Sequence, residues 1–166
     1  MNNSKKIAAG AAAIAAVIAA GVFFAVIKPA NDRKIAEAKE TERLAAYEAC
    51  KKAVSEGEDA DYKWDKAYSD ASWLKTDKIA DKKLADEFTE IKYAYVSGKN
   101  MSAIVASKEK GSPSIEMPNV DCKTDDSTEI LKSVQIKWQN FNRQLEEKTS
   151  ALKQKTEEVK KAYESQ

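Results

Sequence analysis

STEILKSVQIKWQNFNRQLEEKTSALKQKTEEVKKAYE, from Ser127 to Glu164, is the stretch whose reading decides the fold. Leu131, Trp138, Leu145, Leu152 and Val159 recur at heptad spacing, and Val134, Phe141, Lys148, Lys155 and Ala162 fill the second heptad position. Apolar residues at that repeat draw a seam along one side of a helix. After Leu145 the apolar face drifts to Thr149, Leu152, Thr156, Val159 and Tyr163, as a straight helix does because its turn does not divide a heptad evenly. Asp126-Ser127-Thr128-Glu129 forms a capping box, which starts the helix at Ser127. The first half of this helix reads as core and the second as a weaker seam. A long amphipathic helix of this kind needs helical partners, so the fold class is all-α.

The partners lie upstream. Asn31 or Asp32 is placed to cap a helix over 32–56, with Ile35, Ala38, Leu44, Tyr47, Cys50 and Val54 as its apolar stripe and Gly57 as its terminator. A second helical region over 59–97 sets Ala60, Trp64, Ala67, Ala71 and Leu74 on one face. Its pattern then restarts in a new phase at Ala80, Leu84, Phe88, Ile91 and Tyr95, so a break near Thr76 or one helix with a shifted face are both open. Gly98 ends it. Residues 98–125 contain Gly111-Ser112-Pro113 and Pro118-Asn119, the chemistry of a connection. This crossover is longer than ordinary loops. Ile104, Val105, Ile115, Met117 and Val120 give it something to bury, and it is expected to lie along the bundle.

Cys50 and Cys122 are the only cysteines. An even pair in a small domain suits an oxidising compartment, and a bridge between them is expected to staple the bundle. With a turn at Gly57, that bridge makes the crossover climb and the last helix descend. The expectation is an antiparallel three-helix bundle with one long crossover.

Ahead of these helices, IAAGAAAIAAVIAAGVFFAVI runs from Ile7 to Ile27 without a charge, between Lys5-Lys6 and Lys28-Pro29. As a helix it measures roughly 31 Å, close to the hydrocarbon thickness of a bilayer. The run is longer than the core of a signal peptide and lacks a good cleavage site at its end, so it reads as an uncleaved signal anchor, with cleavage at the weak sites near Val17-Ile18-Ala19 as the alternative. Lys/Arg counts on its two sides are nearly balanced and barely orient it. The cysteine pair favours a short cytoplasmic N-terminus, residues 1–6, a span over 7–27 and an extracytoplasmic domain over 28–166. Ala9/Ala13, Ala12/Ala16/Ala20 and Gly21/Ala25 repeat at the spacing that lets helix backbones meet in lipid, which opens a homodimer through the anchor.

Beyond the anchor the chain carries all but two of its 28 Lys/Arg and all 27 Asp/Glu, interleaved. That pattern lacks the concentrated basic field a nucleic-acid partner requires. Histidine is absent, which removes His-based triads, HExxH zinc sites and the usual neutral-pH base. Neither GxGxxG nor GxxxxGK occurs. The acidic pairs Asp59/Asp61, Asp125/Asp126, Glu146/Glu147 and Glu157/Glu158 follow no EF-hand spacing. No catalytic residue, cofactor or metal is therefore expected.

Aromatic residues supply the remaining candidates. Tyr62, Ser69 and Trp73 share one side of the second helical region, whereas Trp64 and Trp73 point about 180° apart at about 100° per residue. Either the crossover covers Trp73, or Tyr62 and Trp73 form a patch for a partner. The space between Trp64, Phe88, Trp138 and Phe141 could instead hold an apolar ligand. The Ala-rich anchor, the KPANDR boundary and RLAAYEACKKAVSEGEDADYKWDKAYSDASW (43–73) resemble uncharacterised single-pass helical surface proteins of high-GC Gram-positive bacteria, a resemblance that implies no activity. The layout is also similar to phage inner-membrane spanins, anchored helical proteins that act in lysis. The function expected is that of a membrane-anchored, non-enzymatic cell-envelope protein whose ectodomain binds a partner or supports a membrane assembly.

Overall fold

A computed structural model describes residues 28–98 and 113–165, and every regular element among them is helical. The apolar run 7–27 lies outside these residues, as do Ile104 and Val105 of the crossover. No helix among the described residues is long and apolar enough to cross a membrane. In chain order the elements are α1 (Lys28–Ser72), a 3-10 turn (Thr76–Lys78), α2 (Lys82–Lys92) and α3 (Thr128–Glu164).

Contacts divide the chain into a unit ending at Ala45 and a unit from Ala46 to Gln166. In the first unit residues 31–45 are exposed apart from a half-buried Arg43, whose guanidinium pairs with Glu40 at 2.6 Å one turn earlier. Ile35 and Leu44, expected on the buried stripe, are among the exposed residues. The stripe that is buried begins one unit later.

Apart from Trp64 and Leu74, that stripe is made of small residues. Ala46, Cys50, Ala53, Gly57, Ala60, Trp64, Ala67, Ala71 and Leu74 alternate at steps of four and three and are all buried. Facing them, α3 buries Leu131, Val134, Trp138, Phe141, Leu145, Thr149, Leu152, Thr156 and Val159. Small residues on one helix leave holes for large ones on the other, which is knobs-into-holes packing with unequal partners. Each large side chain removed from water there contributes about 1.5–3 kcal/mol. Gly57 shows how tight the fit is: a Cβ added there would overlap the ring of Trp138, with Cζ3 at 2.8 Å, and would sit 3.4 Å from Phe141.

The glycine read as a terminator is therefore a packing residue. α1 passes through it without a break. The expected helices 32–56 and 59–97 are replaced by one helix to Ser72, and the break near Thr76 stands where the pattern restarts. A second expectation falls with the turn. Gly57 packs on Trp138, Lys63 pairs with Glu146 at 3.7 Å, and Ala67 and Asp70 border the same cleft as Thr156 and Lys160. Positions on the two helices rise together, so α1 and α3 run parallel rather than antiparallel.

α2 supplies the opposite direction. Asp81 caps it by accepting a hydrogen bond from the Leu84 amide, and its buried face is Ala85, Phe88 and Lys92. Glu87 of α2 meets Lys155 of α3 at 2.7 Å, while Tyr95, further along the chain, stacks edge-on against Phe141, earlier in α3. The chain then continues past Gly98, and its next described stretch begins at Pro113. α3 starts with Ser127 accepting from the Ile130 amide. The drift of its face after Leu145 is present: Thr149 and Thr156 are buried, and their hydroxyls donate back to the carbonyls of Leu145 and Leu152 at 2.6 and 2.7 Å. Bonding to the preceding turn lets a hydroxyl enter a core without an unpaired donor.

Candidate functional site

Three places in the second unit hold side chains that packing alone does not account for. The first is the outer face of α1. Tyr62 and Trp73 are 71% and 63% exposed, with Lys66 and Ser69 exposed between them at helical spacing. Trp64 and Trp138 are buried. The alternative in which the crossover covers Trp73 is thus excluded for its described part, and the two aromatics named from the sequence do lie open on one side. Exposed Trp and Tyr three turns apart on one side are the composition of an interface anchor rather than of a solvated helix face.

The second place is the junction of α1 and α2. The ammonium of Lys92, a residue only 6% exposed, donates to the carbonyls of Ser72 at 3.2 Å and Leu74 at 3.5 Å, and so satisfies the carbonyl end of α1. Around it stand the rings of Phe88, Tyr68 and Tyr93, with centroids 5.5, 5.9 and 6.0 Å away. A cation held among aromatic faces gains attraction that partly offsets its lost hydration. Burial nevertheless lowers the Lys92 pKa from its ordinary value. Burial also raises the Tyr68 hydroxyl to about 12, helped by the neighbouring Tyr93. Nothing in the sequence marked Lys92, since a lysine on an amphipathic helix is usually read as solvated.

A related contact fills the centre of the unit. The Tyr95 hydroxyl donates to the buried carboxylate of Asp61 at 2.7 Å, while its ring meets Trp64 at 5.9 Å and Phe141 at 5.5 Å. Trp138 in turn packs edge-on to Phe141 at 5.8 Å. Burial first, then the Asp61 carboxylate, pushes the Tyr95 hydroxyl strongly upward. The space between Trp64 and Phe141 that was considered for an apolar ligand is therefore occupied by this ring. Asp61, read from the sequence as part of a solvated acidic pair with Asp59, is a buried hydrogen-bond acceptor instead. Among the described residues no group of three or more His, Cys, Asp or Glu is placed to hold a metal ion.

The third place is the extended stretch Pro113–Asp121, which forms a strap over the helices. The amides of Ser114 and Ile115 both donate to the Ala94 carbonyl at 3.1 Å, and Ile115 is its one buried side chain. Trp138 donates its indole N–H to the Val120 carbonyl at 2.8 Å. Beyond Asp121 the strap ends in a disulfide, Cys50–Cys122, with Cα atoms 6.1 Å apart, the pairing read from the sequence. Open clefts flank it. One, of about 500 Å³, lies against Lys137, Asn140, Phe141 and Gln144 of α3; the other, of about 410 Å³, lies against Val54 and Glu58 of α1 and Trp138. Met117 to Val120 border both.

Comparison with protein-family models, curated proteins and solved structures finds no match to this chain.

Proposed function

We propose that this chain is a membrane-anchored, non-enzymatic cell-envelope protein whose helical domain, held on the extracytoplasmic side, binds a partner protein or supports a membrane assembly. The observation that carries the binding role is the open pair Tyr62, on the face of α1 that points away from the core, and Trp73, just past the end of that helix. Burying either aromatic in a partner's pocket would remove a large apolar surface from water at little cost in side-chain entropy. The anchoring role rests on the apolar run Ile7 to Ile27, and the side of the membrane on the Cys50–Cys122 bridge, which persists where thiols are kept oxidised.

Two experiments test the parts separately. A photo-crosslinking amino acid in place of Trp73, in cells expressing the full chain, should yield one adduct that is lost when the crosslinker is moved to exposed Ser133. Equal labelling of many proteins from both positions would sink the binding role. Thiol labelling of intact cells with an impermeant reagent should reach Cys50 and Cys122 only after reduction. Protection until the cells are lysed would instead place the domain inside.

A further inference from the structure

We infer that the Cys50–Cys122 bridge is an exchange site for a dithiol protein, and that opening it frees the strap Pro113–Asp121 from the helices without dismantling them. Neither the membrane anchor nor the Trp73 surface is needed for this. The bridge is asymmetric. Cys50 is fully buried in the small-residue stripe of α1, whereas Cys122 is partly exposed, between exposed Asp121 and Lys123. Of the two, Cys122 is the half of the bridge that solvent reaches, and so the one an incoming thiolate would meet.

The chemistry closes with one partner of a stated class, a protein carrying two neighbouring thiols. Its first thiolate attacks Cys122 Sγ, forming a mixed disulfide while the bond to Cys50 breaks. The electron pair leaves on Cys50 Sγ, which takes a proton from water. The partner's second thiol loses a proton and attacks the partner's own first sulfur, and Cys122 leaves as a thiolate that is protonated in turn. Two thiols in the partner become a disulfide, and one disulfide here becomes two thiols.

Few described contacts besides the bridge hold the strap, and that decides the effect of reduction. They are the buried Ile115 side chain, the part-buried Val120, the three hydrogen bonds from Ser114 and Ile115 to Ala94, counting the Ser114 hydroxyl at 3.2 Å, and the indole bond from Trp138 to Val120. Glu116, Met117, Asn119 and Asp121 are exposed, and clefts border the segment on both sides. The parallel α1/α3 seam shares none of these ties except through Trp138. Once Cys122 is released, the two clefts join into one groove floored by Val54, Gly57, Trp138 and Phe141.

The test uses the full chain in detergent micelles. After treatment with dithiothreitol, exchange of the hydrogen-bonded strap amides of Ser114 and Ile115 should rise roughly tenfold or more, while exchange over 134–159 changes less than about twofold, the signature of a local opening. In a Trp73→Phe background, where both remaining tryptophans are buried, reduction should make the fluorescence quenchable by iodide, with helical ellipticity retained. A variant lacking both sulfurs, Cys50→Ser with Cys122→Ser, should show the open pattern without reductant. For the exchange step, a CxxC oxidoreductase whose second cysteine is replaced by Ser should be trapped on Cys122. Loss of helix on reduction, unchanged strap exchange, or trapping at Cys50 or at neither cysteine would each overturn the inference.

Discussion

The α1/α3 pair has its third side covered in two different ways, and the contrast shows what each kind of cover requires. Toward the C-terminal end the cover is α2, which presents Ala85, Phe88 and Lys92 together because helical turns bring those positions to one side. Toward the N-terminal end of α3 the cover is the strap, an extended chain that buries Ile115 and leaves most of its neighbours exposed. An amphipathic helix concentrates apolar area on one face and satisfies its own backbone. An extended chain does neither. It is held by borrowed carbonyls, an indole and a covalent bridge.

The largest loss should therefore come from the helical cover. Phe88→Ala removes a fully buried ring and should lower unfolding free energy by about 3–5 kcal/mol in urea titrations. A loss below about 1 kcal/mol would mean that α2 docks without its main anchor. The strap should show its dependence on the bridge next. Cys50→Ser with Cys122→Ser opens a loop of sequence separation 72 and should cost roughly 4 kcal/mol of stability by the chain-entropy account. Equal midpoints for the oxidised and sulfur-free proteins would mean that the bridge does not staple the fold.

The seam that both covers share is probed by Gly57→Ala. The added methyl meets the Trp138 ring, and overpacking of this kind costs about 1–3 kcal/mol. If Gly57 were only a helix breaker, the same change would stabilise. Asp81→Ala, which deletes the cap of α2, should cost about 0.5–2 kcal/mol and leave the exchange of the strap unchanged.

The smallest effect is a pH dependence at the helical cover. The Tyr68 hydroxyl, raised to about 12, keeps its proton in the fold after the unfolded chain has lost it. The unfolded state then binds fewer protons, so its contribution to stability is complete below about 10 and is lost as pH rises toward 12. Lys92, whose pKa is lowered by burial, acts with the opposite sign, since the unfolded chain holds its proton to higher pH. Tyr68→Phe should flatten the alkaline fall, measured as melting temperature against pH.

Much of this fold was readable because it was written in large apolar residues. Leu131, Trp138, Phe141, Leu145, Leu152 and Val159 gave α3 its length and its drifting face, and the change of phase after Leu74 left a break near Thr76 as one of two readings, which the structure decides. The stripe of α1 was misplaced for the converse reason. Ile35 and Leu44 outweigh Ala46 and Ala53 on any hydrophobic count, yet close approach of two helices selects small residues. Gly57 carried two meanings, terminator and clearance for a ring, and only the Trp138 contact decides between them. From that one residue the direction of α3 was also misread. The Cys50–Cys122 pair was legible because only two cysteines were available. The sequence left Trp73 open between cover by the crossover and exposure, because two Trp residues nine apart cannot share one helix face, and only the structure shows it exposed. Lys92 was not legible, because its partners are backbone carbonyls and rings brought together by the tertiary fold.

The parallel course of α1 and α3 bears on how the molecule reaches its native state. Neighbouring antiparallel helices meet across a short turn, but here the bridge joins positions 72 apart and the Tyr163–Lys75 contact joins positions 88 apart. Closing loops of that length precedes the reward from the seam, and each such distant contact slows the search for the native state. α2 forms from local contacts and can dock on α1 early, through Lys92 and Phe88. The last helix must wait for the crossover to return to the start of the seam, and oxidation of Cys50 with Cys122 shortens that search. Assembly should therefore be faster for the oxidised chain, with α3 arriving last.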